Sequence, residues 1–505
     1  MLARLGPWCL PLATAWVLFC TLRAAAWERI QSLGVVESYG FAVYEQLIRN
    51  RAFEGVFSQT IHRGYIDHWM WSGHRSVALY VTPWFYRIWP EPLTLSSLQI
   101  GLVAAGCFPA FGMGRTLLGG TLGGAVGLVL YACFPPFWVL ALSDYQDIVL
   151  GIPFALSAVW ALRARSPWLF ALAGFLCACT REEWAATLPV LGLAAAGGWR
   201  QRLRYTSIGL ATALLFTALV VWLGRDAVGY QTPVQTHAGA LFGHLPPIQR
   251  GWPDYHRFYV HFLVPTTGLA VLSPVVALPG AGALLVHLTT PNGSGIDADW
   301  RGHIHHMAPV ATFFVAASID GLSHLGAVAF PAGTRTRWQA YLDGRGAVPR
   351  WALLLVLATV VGVYAVHTRS WVRMLALSPT ANPNLEASRR LRPEWAIVAG
   401  VPENAVIATD PDGALFVAGF RRSYTYGESL AEKSRLGLRE LDYLLVRRRD
   451  TTVLGEAVQL GGTVLAETTQ YQLLVMPRAE RLGVGFSAPA DGGRRKAEGQ
   501  RLYFE

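Results

Sequence analysis

The chain has 505 residues, of which 53% are hydrophobic and only 15% charged, with a formal charge of +10 and a mean hydropathy of +0.34. This balance excludes an ordinary soluble domain. The arginines recur at loops between apolar runs, where the positive-inside rule expects them, so the basicity reads as membrane topology and implies no nucleic-acid partner.

Residues 1–26 carry Arg4, an apolar run from Leu5 to Leu22 and then Ala24-Ala25-Ala26. That pattern suits a first transmembrane helix and also a cleavable signal peptide. We expect an uncleaved anchor, and either way residue 27 emerges on the outer face. Apolar runs at 94–114, 119–142, 148–163, 167–181, 184–198, 205–224, 307–322 and 351–367 read as further spans, because about 20 apolar residues rising ~1.5 Å each cross the hydrocarbon layer. The run from Phe262 to Leu288 is interrupted by Pro265, Pro274 and Pro279-Gly280, so it reads as one tilted span or as two short helices. Parity favours two. That count puts Arg115, Arg163 and Arg165, then Arg200, Arg202 and Arg204, then Arg335, Arg337, Arg345 and Arg350 on one side, the cytoplasmic one.

The expected fold is therefore an α-helical polytopic membrane protein of about 11 spans, N-terminus in, with a small C-terminal α/β domain outside. The domains expected are the first helix 1–26, an exoplasmic first loop 27–93, the multi-span region 94–367, the exoplasmic α/β domain 368–480 and a disordered tail 481–505. Within the α/β domain, Ala405–Thr409, Tyr443–Val446 and the pair 463–468 and 471–476 read as strands, with 428–438 and 451–459 as helices. The six cysteines lie in apolar runs without ligand spacing, so they imply packing and no disulfide framework. Lysine occurs only at Lys433 and Lys496, which fits a GC-rich genome and the plasma (inner) membrane of a bacterium.

This topology gathers the polar clusters on the exoplasmic side. They are Glu37, Glu45, Gln46 and His74 in the first loop; Asp144 and Asp147; Arg181-Glu182-Glu183; and Arg301, His303, His305 and His306. Carboxylates at the membrane boundary are costly unless paired or solvated, so several at different helix ends suggest a shared polar cavity. The plainer alternative is a set of solvated helix ends. Arg181 suits a phosphate and a neighbouring carboxylate suits a general base. His303 and His306 share a face if helical; a lipid phosphate, a substrate hydroxyl and a structural hydrogen bond are all uses open to them. There is no His-Glu-x-x-His or cysteine set, and Asp297-x-Asp299 is a weak signal, so no metal ligand set is assigned and a divalent cation stays open. Trp69, Trp71 and Tyr44 suit an interfacial belt or a sugar ring. Glu37 and Glu45 are spaced to face one groove if helical.

Several motifs together carry a resemblance: Tyr39-Gly-Phe-Ala-Val-Tyr-Glu-Gln46, His74 followed by Pro83, Leu98-Gln99, Arg181-Glu-Glu183 after a span, His305-His306-x-x-Pro309, and a C-terminal domain opening near Pro402-Glu-Asn-Ala-Val. The chain resembles the domain-of-unknown-function 2079 family of predicted membrane proteins, which is similar to the GT-C glycosyltransferases. The resemblance implies a hexosyl- or pentosyltransferase. Its donor is a polyprenyl-phosphate sugar, its acceptor a lipid, glycan or protein on the outer face, and its base a first-loop carboxylate. Where the family motif opens with Asp this chain has Gly40; Glu37, one helical turn earlier, is the expected stand-in, followed by Glu182, Glu183 and Glu45. Arg181, Arg301 and the His305/His306 pair would stabilise the leaving phosphate. The rival readings are a transporter or lipid flippase and a non-catalytic membrane scaffold. The chain shows no internal repeat of the transporter kind.

Overall fold

The structure, a computed structural model, describes residues 6–31, 38–61, 66–67, 75–224, 266, 268–289, 304–329, 348–374, 392–402, 404–410, 414–417, 422–425, 440–468 and 470–482. In chain order, α1 is Cys9–Gln31 and α2 is Ser38–Glu54. A two-residue antiparallel pair follows, β1 Ser58–Gln59 with β2 Ile66–Asp67. Then come α3 Thr82–Ile88, α4 Pro92–Ala105, α5 Cys107–Gly114, α6 Gly120–Ala132 and α7 Pro135–Leu142. After a 3-10 turn at Asp147–Gly151 the chain forms α8 Ile152–Arg163, α9 Pro167–Thr180, α10 Glu182–Gly192 and α11 Trp199–Gly224. Next are α12 Pro274–Thr289, α13 Ala308–Ala329 and α14 Arg350–Met374.

Among the described residues, four helical stretches are long and apolar enough to cross a membrane: Gly6–Glu28, Pro92–Ala132, Trp199–Gly224 and Ala308–Gly326; Pro167–Thr180, Pro274–Leu284 and Arg350–Val363 are shorter apolar helices. The long stretches differ from the expected spans where the backbone is interrupted. The 94–114 run changes helix at Gly106, and the 119–142 run breaks at Cys133-Phe134 before Pro135-Pro136. Proline is tolerated in the first helical turn because its missing N–H would be unpaired there anyway, and α3, α7, α8 and α9 each begin with one. The 262–288 run has a 3-10 turn at Leu269–Leu272 ahead of α12, and its first residues, to 265, lie outside the described ones.

The chain divides into two compact units. The first comprises 1–25, 71–80 and 96–381, the second 26–70, 81–95 and 382–505. In the first, α5 packs on α6, α8 on α9, α10 on α11 and α12 on α13. Small residues let α5 and α6 approach closely: a Cβ on Gly114 would run into the Gly123 carbonyl oxygen. Membrane helices associate through such small-residue contacts because lipid gives no hydrophobic drive between them. All six cysteines are free.

The second unit holds α2, the β1–β2 pair, α3 and a five-stranded sheet. Its C-terminal part runs α15 Arg392–Ala399, β3 Val406–Thr409, α16 Ala414–Val417, β4 Arg422–Thr425, β5 Tyr443–Arg447, α17 Thr451–Gln459, β6 Thr463–Glu467, β7 Tyr471–Val475 and α18 Pro477–Leu482. The sheet order is β4-β3-β5-β7-β6; β3 is parallel to β4 and β5, and β7 is antiparallel to β5 and β6. Successive strand residues point to opposite faces, and both faces are covered. Ile407, Tyr443, Leu445 and Leu473 enter one core, and Val406, Ala408, Leu444 and Leu474 the other. Asp450 caps α17 by accepting the Val453 N–H at 3.3 Å, as a helix N-terminus requires. α16 packs on α2 through Ala414, Ala42 and Val43. The expected 428–438 helix lies outside the described residues.

Candidate active site

In the first unit the polar residues are organised by Gln99 of α4. Its Nε2 reaches the carbonyls of Leu140 at 3.0 Å, Ser143 at 3.2 Å and Asp144 at 3.2 Å, and its Oε1 accepts the Gln146 N–H at 2.8 Å. One buried amide thus satisfies the backbone where α7 ends, which a buried loop requires, and shapes the segment carrying Asp144 and Asp147. Both of these acids are buried.

Arg181 stands in extended conformation between α9 and α10 and is fully buried. Its guanidinium lies 3.3 Å from Asp147 Oδ1 and 3.0 Å from Glu183 Oε2. Asp147 Oδ1 also accepts the Ile148 N–H at 2.9 Å. Glu182 accepts the N–H of Arg75, itself fully buried, at 2.7 Å. Behind them Trp184, also fully buried, donates Nε1 to the Ile148 carbonyl at 2.9 Å and rests 6.0 Å from the Phe313 ring centroid. A charge in such an interior persists only when paired, and here cation and carboxylates are paired at close range. His306 is half-buried in the Ile304–Met307 turn, which packs against the Asp147–Gly151 turn. The structure therefore brings Asp147 and Glu183 to the Arg181 guanidinium and sets Glu182 on the backbone N–H of Arg75.

In the second unit Glu45 and Gln46 are both buried on α2, with opposite surroundings. Gln46 is held at both ends: Oε1 accepts the N–H of Thr60 at 2.7 Å and of Ile61 at 3.3 Å, and Nε2 donates to Thr60 Oγ1 at 3.1 Å. It braces α2 against the strand at β1. Glu45 Oε1 accepts the Tyr86 hydroxyl of α3, while Oε2 has no hydrogen-bond partner among the described residues. Desolvation by burial pushes its pKa from 4.5 to about 8, against the Tyr86 hydrogen bond and Arg49, which lower it, and with Glu91, which raises it. A buried carboxylate without a cationic partner keeps its proton to higher pH.

Of the other expected site residues, Glu37, His74, Arg301 and His303 lie outside the described residues, and only the backbone of His305 is described. Among the described residues, no group of three or more His, Cys, Asp or Glu side chains is placed to hold a metal; Asp297 and Asp299 are outside them. Sequence reasoning missed Arg75, Tyr86 and Glu91, whose partners are distant in the chain. It also missed Asp320 on α13, buried with Arg163 at 2.6 Å, Ser273 Oγ at 2.6 Å and His324 at 3.1 Å. A lone acid inside an apolar run was the available signal.

Comparison with solved structures finds ArnT from Cupriavidus metallidurans. The crystal structure bound to undecaprenyl phosphate superposes with a TM-score of 0.53 at 13% identity, and the apo state with 0.53 at 12%; each covers 92% of this chain and 98% of that one. At such identity the likeness shows the fold alone, and it extends over nearly the whole of both chains. The Archaeoglobus fulgidus oligosaccharyltransferase, in complex with Zn and sulfate, gives a TM-score of 0.40 at 11% identity, covering 85% of this chain and 68% of that one. No curated protein matches this chain. The family model of the predicted membrane proteins DUF2079 matches residues 29–456, and the chain belongs to that family.

Proposed function

We propose that this chain is an integral membrane glycosyltransferase of the GT-C type. It takes a sugar from a polyprenyl-phosphate donor and delivers it to a lipid, glycan or protein acceptor on the exoplasmic face of the inner membrane. The ArnT fold supports the general kind of protein, and the bound undecaprenyl phosphate of that relative supports a lipid-phosphate donor. The observation that carries the reading is Glu45, a buried carboxylate hydrogen-bonded by a neutral hydroxyl on Oε1 and without a hydrogen-bond partner on Oε2 among the described residues.

Transfer from a sugar phosphate needs a group to accept the acceptor's hydroxyl proton. A base works best when its pKa lies near the working pH, and Glu45 meets that condition. The acceptor O–H bond breaks, its proton goes to Glu45 Oε2, and the oxygen attacks the anomeric carbon. The bond from that carbon to the phosphate oxygen breaks, the phosphate keeps the electron pair, and the anomeric centre inverts. Glu37, the stand-in expected from the family motif, is the rival base. Considered by itself within the first unit, Arg181 is proposed as a group able to hold a lipid phosphate, because a guanidinium is suited to that geometry.

The test offers purified protein in lipid a panel of labelled polyprenyl-phosphate sugars with membrane extract as acceptor. Donor consumption with label passing to an acceptor supports the proposal. A labelled donor that crosses the bilayer unchanged would favour the flippase reading, and a donor neither bound nor consumed would favour the scaffold.

A further inference from the structure

Helix α3 has two unlike faces. Thr82, Pro83 and Tyr86 are buried, and Tyr86 donates its hydroxyl to Glu45 Oε1. Val81, Trp84, Phe85 and Ile88 are exposed, Trp84 at 64% and Ile88 at 83%, and exposed Trp89 follows at the C-cap. Counted from Val81, these residues keep the i, i+3, i+4, i+7 pattern of one helical face. Phe53, at the end of α2, extends the surface: it is exposed too, and its ring meets that of Tyr86 edge-on at 6.3 Å between centroids. So much large apolar side chain on one exposed surface requires something to cover it.

The position of α3 in the chain says what that is. Only Trp89, Pro90 and Glu91 separate it from Pro92, where the stretch Pro92–Ala132, long and apolar enough to cross a membrane, begins. Helix α3 and the first residues of α4 belong to the same compact unit. Even fully extended, the link from Ile88 to Pro92 spans at most about 14 Å, so α3 stays close to the point where α4 enters lipid. It cannot cross on its own, because seven residues rise only about 10 Å against a hydrocarbon layer of ~30 Å. Its composition is that of the boundary. The exposed face carries two tryptophans, which prefer the headgroup level, and the Arg87 guanidinium lies 5.1 Å from the Trp84 ring centroid while its Nε donates to the Ala52 carbonyl. An arginine of this kind lays its stem on apolar surface and keeps its charge at the polar edge. The link to α4 and the pairing of tryptophan with arginine select a lipid surface over a protein partner.

We propose that α3 is a membrane-interface helix: its Trp84–Ile88 face lies in lipid at headgroup level, and its opposite face, through Tyr86, holds Glu45 at that depth. The value of this depth for catalysis rests on the transfer reading above. A polyprenyl donor keeps its chain in hydrocarbon and its phosphate among the headgroups, so a base fixed at the same level stays within reach of the reacting centre.

The experiment places the full chain in phosphatidylcholine–phosphatidylglycerol vesicles containing a phospholipid with a photoreactive diazirine, either beside the glycerol ester or at the acyl terminus. Mass spectrometry locates the labelled residues. Residues 84–89 should take the ester-side probe and not the terminal one, whereas the middle of α11 should take the terminal probe. Ile88→Asp should lose the label on α3 and Ile88→Leu should keep it. In the transfer assay, Ile88→Asp should raise KM for a long-chain polyprenyl donor in vesicles and leave KM for a short-chain, water-soluble donor unchanged.

A wild-type α3 without label beside a labelled α11 overturns the proposal. So does equal labelling by both probes, which would bury α3 in the hydrocarbon, and so does cross-linking of residues 84–89 to a second copy of the chain in place of lipid. An equal change of KM for both donors overturns the link to Glu45. Ester-side labelling of α3 in a protein that transfers no sugar would uphold the interface helix and refute the transferase.

Discussion

Asp147 and Glu45 are both buried carboxylates, yet they are held by different partners. Asp147 faces the guanidinium of Arg181 and a backbone N–H, whereas Glu45 is hydrogen-bonded by a phenol, with Arg49 and Glu91 acting on it as opposed charges. A buried carboxylate beside a cation is compensated in place, whereas burial beside a neutral donor raises the Glu45 pKa. The first arrangement orders structure. The second suits proton transfer.

The largest effect that would break this contrast is on catalysis. Glu45→Gln should lower sugar transfer by about 10²–10⁴-fold, the usual span for a general base, while the protein still elutes as a folded species in detergent. The same residue should give a pH dependence of stability. With a folded pKa of about 8 against an ordinary 4.5, the unfolded chain loses this proton first as pH rises. Stability contributed by the protonated form should therefore decline between those values, and Glu45→Gln should remove that slope; thermal unfolding across the range checks it.

Next in size is the charge-saturated cluster. Arg181→Met leaves Asp147 and Glu183 without their cation, and Asp320→Asn leaves Arg163 without its carboxylate. Breaking a buried pair in this way costs about 3–5 kcal/mol, readable as a lowered unfolding midpoint in the same detergent. Smallest is Gly151→Ala. Its Cβ would run into Trp184 Nε1 and lie 2.7 Å from Thr180 Oγ1, and an overpacked core of this kind costs about 1–3 kcal/mol. An effect confined to stability at Gly151, with the pH midpoint of transfer unmoved, would sharpen the separation between the ordering cluster and the titrating one.

What could be read from the sequence follows from how local each signal is. Strands β3 and β5 and helix α17 match the expected segments closely. The two strands are buried on both faces and so appear as short runs of Val, Ile and Leu, while α17 carries Asp450 as its cap. Strand β4, with the sequence Arg-Ser-Tyr-Thr, lies at the sheet edge and has no apolar run to announce it. The apolar runs at 94–114 and 119–142 were visible, and Pro135-Pro136 was an available local signal for the break at Cys133-Phe134; the change of helix at Gly106, packed against Tyr131, had no such signal.

The candidate site divides in the same way. Arg181-Glu182-Glu183 stood out as charge directly after an apolar helix. Gln99 belonged to a recognisable motif, but its task of holding residues 140–146 is a long-range contact. Tyr86 is forty-one residues from Glu45, and nothing in either local sequence joins them. Asp320 was overlooked, although an isolated acid in an apolar run, a position costly without a partner, could have marked it.

The most direct test of the account compares transfer rates against pH for the wild type, Glu45→Gln and Glu182→Gln, with donor saturating. The account predicts a wild-type rate that rises with pH to a midpoint of about 8, a Glu182→Gln profile with that same midpoint, and a Glu45→Gln rate that is low and flat. A Glu45→Gln profile that keeps the wild-type height and midpoint would contradict it and move the base to Glu37 or to the Arg181 cluster.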